Sequence, residues 1–217
     1  MYRHFFKRAL DILFSVVLLP VLLLSFLFCA PAIWLTDRGP VFYNAERRGK
    51  DGRCFKMFKY RSMAVNSPEL HNADGSTYTG DDDPRVTKIG RLMRKTSVDE
   101  LPQILNVLIG DMSFIGPRPT LTVTPYEQLP EDRRHRLLVR PGITGYAQAY
   151  FRNSIPQEEK FRCDCYYVDH LTFAFDLKIL FHTVYSVAAR KNINHADGEE
   201  DRGAREENAP AGNGKNG

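Results

Sequence analysis

The sequence predicts a mainly helical α+β protein with one membrane-inserted helix at its N-terminus, surface amphipathic helices and a small cytosolic body containing short strands. The prediction depends on a nearly uncharged run at residues 12–35, short helical and strand-like segments after it, and a polar end from residue 194 onward. We therefore expect a membrane-inserted helix over residues 1–36, a cytosolic domain over 37–191 and a disordered tail over 192–217.

Composition limits the classes of protein to consider. The chain has 217 residues, 43% of them hydrophobic, which is enough for one compact domain of ordinary size and some appendages. Its net charge of +4 favours anionic partners such as phosphates or lipid headgroups. Four scattered cysteines are too few for a disulfide framework, so we expect a reducing compartment.

The apolar run allows two membrane arrangements. As a helix, residues 12–35 would extend about 36 Å, enough to cross the hydrocarbon layer. Basic residues lie on both sides of the run, and the positive-inside rule then favours the cytosol for both ends. Pro20 removes a backbone hydrogen bond near the middle and predicts a break there. A helix that returns to the same face and a kinked single crossing both remain open.

The first short strands are predicted in the segment that follows the membrane helix. We expect one strand at residues 41–43, a charged turn at 47–52 and a second strand at 54–63. Lys59 and Arg61 lie on one face of the second strand, either solvated or facing a substrate phosphate.

A polar loop separates these strands from the next helix. Residues 66–83 form this predicted loop, and its acidic run 81–83 is interpreted as solvated rather than as a metal site. An amphipathic helix is predicted over 86–95, with Arg94 on its basic side.

An acidic pair, Asp99 and Glu100, lies near the middle of the chain, directly before an apolar helical run. Pro102 is tolerated only in the first helical turn, so the pair lies at or just before a helix start, and Gly110 is a suitable stop. Taken alone, the pair is more simply a helix cap, since Ser97 and Glu100 have the spacing of a capping box.

The surroundings of the pair favour phosphoryl chemistry. Arg94 comes shortly before it, and two rigid turns, Gly116-Pro117-Arg118-Pro119 and Arg140-Pro141-Gly142-Ile143-Thr144-Gly145, each carry one arginine. A carboxylate needs no general base to attack phosphorus, provided that a metal and cations offset the charges.

Three further helices are predicted in the second half of the chain. The first covers residues 126–139, and its basic run 133–136 is interpreted as a solvated or membrane-facing surface. The others cover 161–170 and 175–190, the last either on the bilayer surface or in a soluble core.

With these motifs assembled, the chain resembles the monotopic phosphoglycosyl transferases, a bacterial sugar transferase family that acts on polyprenyl phosphate. The resemblance covers roughly residues 7–190. The motifs on which it rests are Lys7-Arg8-Ala9-Leu10-Asp11, Phe58-Lys59-Tyr60-Arg61-Ser62-Met63, Asp83-Pro84-Arg85-Val86-Thr87 and the stretches around Asp99, Arg118 and Arg140.

The resemblance implies a fold, an activity and a cellular location. The fold would be monotopic, with a re-entrant, proline-broken helix, although the Ser-Pro pair that breaks this helix in the family corresponds here to Leu24-Ser25, with the proline displaced to Pro20. The activity would be transfer of a sugar 1-phosphate from a UDP-sugar to polyprenyl (undecaprenyl) phosphate, with release of UMP. It would be the first membrane step of glycoconjugate assembly, on the cytoplasmic face of the bacterial inner membrane. Downstream glycosyltransferases and membrane lipid would be partners, and nucleic acid would not.

The resemblance also implies roles for individual residues. Asp99 would be the nucleophile and would carry a covalent phosphosugar, and Glu100 would help it to bind Mg²⁺. The candidate phosphate, nucleotide or metal contacts, partly from the resemblance and partly from the turns above, are Lys59, Arg61, Arg94, Arg118, Arg140, Arg152 and Asp164. Two alternatives stay open: a membrane-anchored glycosyltransferase that releases UDP, with residues 81–83 holding the metal, and a basic membrane adaptor that acts through residues 133–140.

Overall fold

The computed structural model describes residues 1–68, 70, 83–151 and 154–188. Within these ranges the chain forms a mainly helical fold with two small two-stranded sheets, as predicted. The α-helices are α1 (Lys7–Asp37), α2 (Lys88–Thr96), α3 (Gln103–Ile109), α4 (Glu131–His135), α5 (Tyr146–Tyr150), α6 (Gln157–Asp169) and α7 (Phe173–Ala188). The strands are β1 (Ala45–Arg48), β2 (Cys54–Met57), β3 (Ser113–Ile115) and β4 (Gly142–Thr144).

Helix α1 is one continuous element, so Pro20 does not divide it into two separate helices. Both Pro20 and Pro31 lie inside its 31 residues. A proline in an apolar helix removes one hydrogen bond, and the remaining helical bonds can carry the helix through it. In the described residues α1 is the one helix long and apolar enough to cross a membrane.

Both ends of α1 contact the same body. At the N-terminal end, the Arg8 guanidinium donates to the carbonyls of Val107 and Leu108 at 2.5 and 2.9 Å, at the C-terminal end of α3. At the other end, the Asp37 carboxylate accepts two hydrogen bonds from Arg61, at 2.5 and 2.6 Å. Both ends of the apolar helix are therefore held by polar contacts to the part of the chain that follows it.

One stripe of α1 packs on the body and the rest is exposed. The buried stripe contains Asp11, Ser15, Leu22 and Ile33. The outward face consists of apolar side chains that are 40% or more exposed, among them Ile12, Leu13, Phe14, Val16, Val17, Val21, Leu23, Leu24, Phe26, Leu27 and Phe28. This composition suits contact with lipid.

The first and last helices are joined at Asp176, which is 3% exposed. Its Oδ2 accepts hydrogen bonds from Lys7 Nζ at 2.7 Å and from the Tyr2 hydroxyl at 2.6 Å, and its Oδ1 accepts one from Tyr167 at 2.7 Å. The Tyr2 ring also contacts the Phe173 ring edge to face. Helix α7 is thereby held beside the start of α1.

Helix α7 has an exposed apolar face next to this contact. The side chains on that face are Phe173, Leu177, Leu180, Phe181, Val184 and Tyr185. Its opposite face buries Asp176 and Ile179 in the body. Helix α7 is therefore neither fully in a core nor fully on the surface: one face packs on the body and the other exposes apolar side chains.

The strands are shorter than predicted and partly displaced. β1 pairs antiparallel with β2 from Ala45↔Met57 to Arg48↔Cys54, so Arg47 lies in a strand and not in the predicted turn. The strand predicted over 54–63 ends at Met57, and the segment 41–43 joins it only through the isolated bridge Phe42↔Tyr60. β3 and β4 pair in parallel, which the sequence did not indicate.

The helix predictions succeed except at residues 126–139. α2, α6 and α7 lie where helices were predicted, and α3 ends at Gly110 as expected. The single polar helix predicted over residues 126–139 is wrong, because Pro130 interrupts it. The segment forms a 3-10 turn before Pro130, then α4, and then a final 3-10 turn. The predicted tail lies outside the described residues.

Candidate active site

The acidic pair lies in a tight turn between α2 and α3. Ser97 adopts a left-handed conformation (φ 56°) that ends α2, and a 3-10 turn over Val98–Glu100 follows. The capping box predicted for Ser97 is wrong, because its side chain makes no cap hydrogen bond. Pro102 immediately precedes α3, so the pair lies just before a helix start as expected.

Asp99 is buried against a lysine. Its carboxylate is 3% exposed and lies 2.8 Å from Lys59 Nζ. The same ammonium lies 3.5 Å from Glu100 Oε1. One cation therefore bridges both carboxylates, and the structure brings together three of the predicted site residues.

Lys59 is held in place from both sides by backbone contacts. The backbone N–H of Tyr60 donates to the Asp99 carbonyl at 3.0 Å. On the other side, the buried Asn106 side chain accepts from the Phe58 N–H and donates to the Lys56 carbonyl, each at 2.8 Å. Asn106 was not predicted, although a polar residue within an apolar helical run is a recognisable signal for such a contact.

The charges around Glu100 favour its ionised form. Burial acts to raise the pKa of this carboxyl, but the positive charges of Lys59, Arg118 and Arg94 outweigh burial and hold the pKa below its ordinary value. Arg94 and Arg118 thus lie close enough to act on the acidic pair, as predicted from their positions in the sequence.

Arg94 is positioned by a close contact between α2 and the segment after β2. Its Nε donates to Ser62 Oγ at 2.9 Å. A Cβ at Gly90 would lie only 1.9 Å from the Ser62 carbonyl oxygen, so glycine is required for this approach. Burial lowers the pKa of the Arg94 guanidinium, against the opposing effect of the Asp99, Asp83 and Glu100 carboxylates.

Asp164 is connected to Arg118 through an arginine that was assigned to the surface. Arg136 donates to Asp164 Oδ2 from Nε and Nη2, at 3.0 and 2.5 Å, and from Nη2 to the Arg118 carbonyl at 2.7 Å. Burial raises the pKa of the Asp164 carboxyl and Arg136 opposes that rise. The solvated basic surface predicted for 133–136 is therefore wrong at Arg136, which is 3% exposed.

Two predicted ligands are engaged elsewhere. The Arg61 guanidinium is bound by Asp37 and also donates from Nε to the Pro40 carbonyl at 2.5 Å. Arg140 donates from Nε to the Gly110 carbonyl at 2.7 Å, at the end of α3. Arg61 therefore does not point with Lys59 toward Asp99, because β2 ends before the two residues can share a strand face.

The remaining candidates lie partly outside the described residues. Arg152 is not described, nor are residues 81 and 82 of the acidic run. Asp83 is fully buried and paired with Arg85 at 2.8 Å, and hydrogen bonding by Arg85 lowers the pKa of its carboxyl. Among described side chains no three acidic, histidine or cysteine groups cluster as a metal site.

Comparison with known proteins decides the family. The family model described as bacterial sugar transferase matches residues 2–190. The chain belongs to this family. The resemblance drawn from the motifs is therefore confirmed, and the protein is a sugar transferase by family.

Relatives of this sugar transferase include proteins named for lipid-linked substrates. It is 41% identical over 197 residues to the uncharacterized sugar transferase EpsL of Bacillus subtilis, covering 89% of this chain and 94% of EpsL. It is 39% identical over 188 residues to the UDP-N-acetylgalactosamine-undecaprenyl-phosphate N-acetylgalactosaminephosphotransferase of Aeromonas hydrophila, with coverage of 84% and 44%. It is 41% identical over 188 residues to the UDP-glucose:undecaprenyl-phosphate glucose-1-phosphate transferase of Escherichia coli, with coverage of 82% and 39%. The chain thus spans less than half the length of the last two.

Proposed function

We propose that this sugar transferase moves a sugar 1-phosphate from a UDP-sugar to polyprenyl phosphate and releases UMP. The proposal depends on the Asp99 carboxylate, which lies 2.8 Å from Lys59 Nζ and within reach of the Arg94 charge, while Arg118 acts on the neighbouring Glu100. Relatives whose names specify UDP-sugars and undecaprenyl phosphate support the same substrates.

In the first step, an Asp99 carboxylate oxygen attacks the phosphorus that bears the sugar. The bond between that phosphorus and the bridging diphosphate oxygen breaks, and UMP leaves with the bridging oxygen. Asp99 then carries the phosphosugar as an acyl phosphate. A carboxylate nucleophile needs no base, and cations at the site offset the charge that both reactants bring.

Lys59 also controls access to the Asp99 carboxylate in this step. With Asp99 only 3% exposed and Lys59 21% exposed, the ammonium covers the nucleophile in the free protein. An incoming phosphate competes with Asp99 for the ammonium, so substrate binding draws Lys59 toward the phosphate and frees the carboxylate. Arg94 and Arg118 supply further positive charge for the diphosphate.

In the second step, the phosphate oxygen of polyprenyl phosphate attacks the same phosphorus. The bond to the Asp99 oxygen breaks, which restores the carboxylate and gives a polyprenyl diphosphate sugar. Glycosyltransferases that extend lipid-linked sugars would consume this product.

The donor set fits a magnesium ion. Asp99 and Glu100 are adjacent carboxylates, and Mg²⁺ is usually held by one or two carboxylates together with substrate phosphates rather than by a full protein cage. Bound there, the metal would neutralise charge on the diphosphate.

The contacts of α1 support a monotopic, re-entrant arrangement. Its two ends contact the same body, at Arg8 and at Asp37, and a single crossing would separate them by the thickness of the bilayer. The exposed apolar face of α7 lies beside the start of α1 and would rest on the same membrane surface. Basic residues on both sides of α1 favour the cytoplasmic face.

The experiment uses purified protein in nanodiscs with a panel of UDP-sugars. We expect UMP release on addition of undecaprenyl phosphate, and an added sugar-phosphate mass on Asp99 when the donor is supplied alone. D99N should lose both, whereas D51N, at an exposed carboxylate 3.7 Å from Lys50 Nζ, should retain them. UDP as the sole nucleotide product would indicate glycosyl transfer, and full turnover by D99N would exclude Asp99 as the nucleophile.

A further inference from the structure

Arg47 lies on the same face of the β1–β2 sheet as Lys59. The isolated bridge Phe42↔Tyr60 continues the register in which the two strands pair. In that register Tyr43 lies opposite Lys59, and the Tyr43 N–H donates to the Lys59 carbonyl at 2.8 Å. Alternate side chains of a strand share a face, so Arg47 is on the Lys59 face, about 13 Å along the strand from Tyr43.

The guanidinium of Arg47 is partly buried without a counter-charge. Its Nη1 donates to the Glu46 carbonyl at 2.9 Å, and among the described residues no carboxylate forms an ion pair with it. Burial lowers the pKa of this guanidinium; Tyr43 opposes that effect, and the positive charge of Arg118 adds to it. A bound anion would therefore stabilise this part of the molecule.

Arg118 connects Arg47 to the acidic pair. On the outer edge of β1, the Arg48 N–H donates to the Thr120 carbonyl at 2.9 Å, which holds the strand against the chain two residues after Arg118. The Arg118 side chain is exposed, and its charge acts both on Arg47 and on Glu100. Positive charge therefore extends from the acidic pair along the sheet to Arg47.

We infer that Arg47, together with Arg118, binds the phosphate that stays with uridine when the donor is cleaved. The inference rests on the proposed function. The sugar-bearing phosphorus must lie at Asp99 in the first step, so the second phosphate and the nucleoside extend away from the acidic pair. Arg47 lies in a direction that leads away from the pair, and a guanidinium can bind a phosphate through two parallel hydrogen bonds.

The charge on this phosphate rises during the first step. When the bond between the sugar-bearing phosphorus and the bridging oxygen breaks, the electron pair stays on that oxygen, which leaves as part of UMP. A monoester phosphate carries about −1.5 to −2 charges at pH 7, more than the same phosphate within a diphosphate. Arg47 and Arg118 therefore stabilise the departing UMP more than the bound donor, which speeds the step. UMP has left before polyprenyl phosphate reacts, so Arg47 has no part in the second step.

Three variants test the role of Arg47. R47Q removes its charge, and R47K keeps the charge but loses the planar fork that binds phosphate at two points. R53Q is the matched control, because Arg53 is an exposed arginine in the turn between the same two strands.

The first measurement is the affinity of the full-length protein in nanodiscs for UMP, by isothermal titration calorimetry in the presence of Mg²⁺. We expect R47Q to raise the Kd for UMP by about tenfold or more, as for the loss of a charge-assisted hydrogen bond. R47K should raise it by about threefold, and R53Q should match the wild type.

The second measurement separates the two half-reactions. Formation of the phosphosugar adduct from the UDP-sugar should be slower in R47Q by about the factor seen for UMP. Once the adduct has formed and the nucleotide has been removed, transfer to undecaprenyl phosphate should proceed at the wild-type rate.

Three results would overturn the inference. A wild-type Kd for UMP in R47Q would show that Arg47 does not bind the nucleotide phosphate. An equal loss in R53Q would indicate a general effect of surface charge, and an equally slow second half-reaction in R47Q would indicate damage to Asp99 or to the fold. If the wild type formed no adduct with any donor, the proposed function would fail, and the UMP titration would still decide whether Arg47 binds a nucleotide.

Discussion

The carboxamide of Asn106 is hydrogen-bonded to the backbone of Phe58, one residue before Lys59, at 2.8 Å. A residue in α3 thereby fixes the segment that carries the cation of the site. Since α3 also follows directly after Asp99 and Glu100, the same short helix positions both members of the Lys59–Asp99 ion pair.

N106A should weaken both stability and activity. It leaves the Phe58 N–H and the Lys56 carbonyl without their partner in a buried position, which costs about 2 kcal/mol of unfolding free energy. We expect this loss in denaturant unfolding in detergent, together with a fall of about tenfold in UMP release. N44A, at an exposed position, is the control and should match the wild type. Wild-type activity in N106A would show that Lys59 does not depend on this contact.

D164N should be strongly destabilising because it leaves a buried arginine without its counter-charge. Asp164 and Arg136 have side chains that are 5% and 3% exposed, and breaking such a pair costs about 3–5 kcal/mol. E159Q removes the exposed partner of Arg162 and should change the unfolding free energy by less than about 0.5 kcal/mol.

D164N also tests whether Asp164 acts on the candidate active site through Arg136. Because Arg136 also binds the Arg118 carbonyl, the KM for the UDP-sugar should rise in D164N even under conditions where the protein stays folded. An unchanged KM would restrict Asp164 to a structural role.

K59M should change how stability depends on pH. In the wild type, cations including Lys59 hold the folded-state pKa of Glu100 below its ordinary value of 4.5. Glu100 therefore contributes stability above pH 4.5, and this contribution disappears as the pH falls through the folded-state value. The difference in unfolding free energy between the wild type and K59M should be largest at neutral pH and shrink on acidification.

The control for this measurement is K56M, at an exposed lysine on β2. Denaturant unfolding of the three proteins between pH 7 and pH 3.5 provides the comparison. A difference between the wild type and K59M that stays constant over this range would contradict the proposed effect of Lys59 on Glu100.

R3C should reveal on which face the N-terminus lies. If both ends of α1 lie on the cytoplasmic side, a membrane-impermeant maleimide should add no label to R3C in intact spheroplasts, and one more label than in the wild type after lysis. The exposed native Cys54 reports the accessibility of the body in the same samples. An additional label in intact spheroplasts would indicate a single crossing.

The sequence was informative where signals were local. Pro102 before an apolar run and Gly110 after it located α3, and the arginine-bearing segments on both sides of the acidic pair predicted that Arg94 and Arg118 act on it. These features depend on residues that lie fairly close together in the chain. The role of Lys59 came from the family resemblance, because Lys59 lies 40 positions before Asp99.

Contacts over long distances in the chain were not predictable in the same way. Arg136 reads as part of a solvated basic run, and only the fold brings it to Asp164, 28 residues away. Arg61 lies at a suitable position in the sequence for a phosphate ligand, but in the fold its guanidinium is bound by Asp37 at the end of α1. β3 and β4 have three residues each, too few for a periodic pattern to appear.

The contact between Lys7 and Asp176 sets an order of events during synthesis. The two residues are 169 positions apart, so at usual rates of 5–20 residues per second translation must continue for on the order of 10–30 s after Lys7 is made before its counter-charge exists. Throughout that interval the apolar helix is present without this contact, although Arg8 can already bind the end of α3. A chain that stops short of α7 can insert into a bilayer but leaves Lys7 and Tyr2 without the carboxylate that binds them, which makes it a predictable substrate for membrane quality-control proteases.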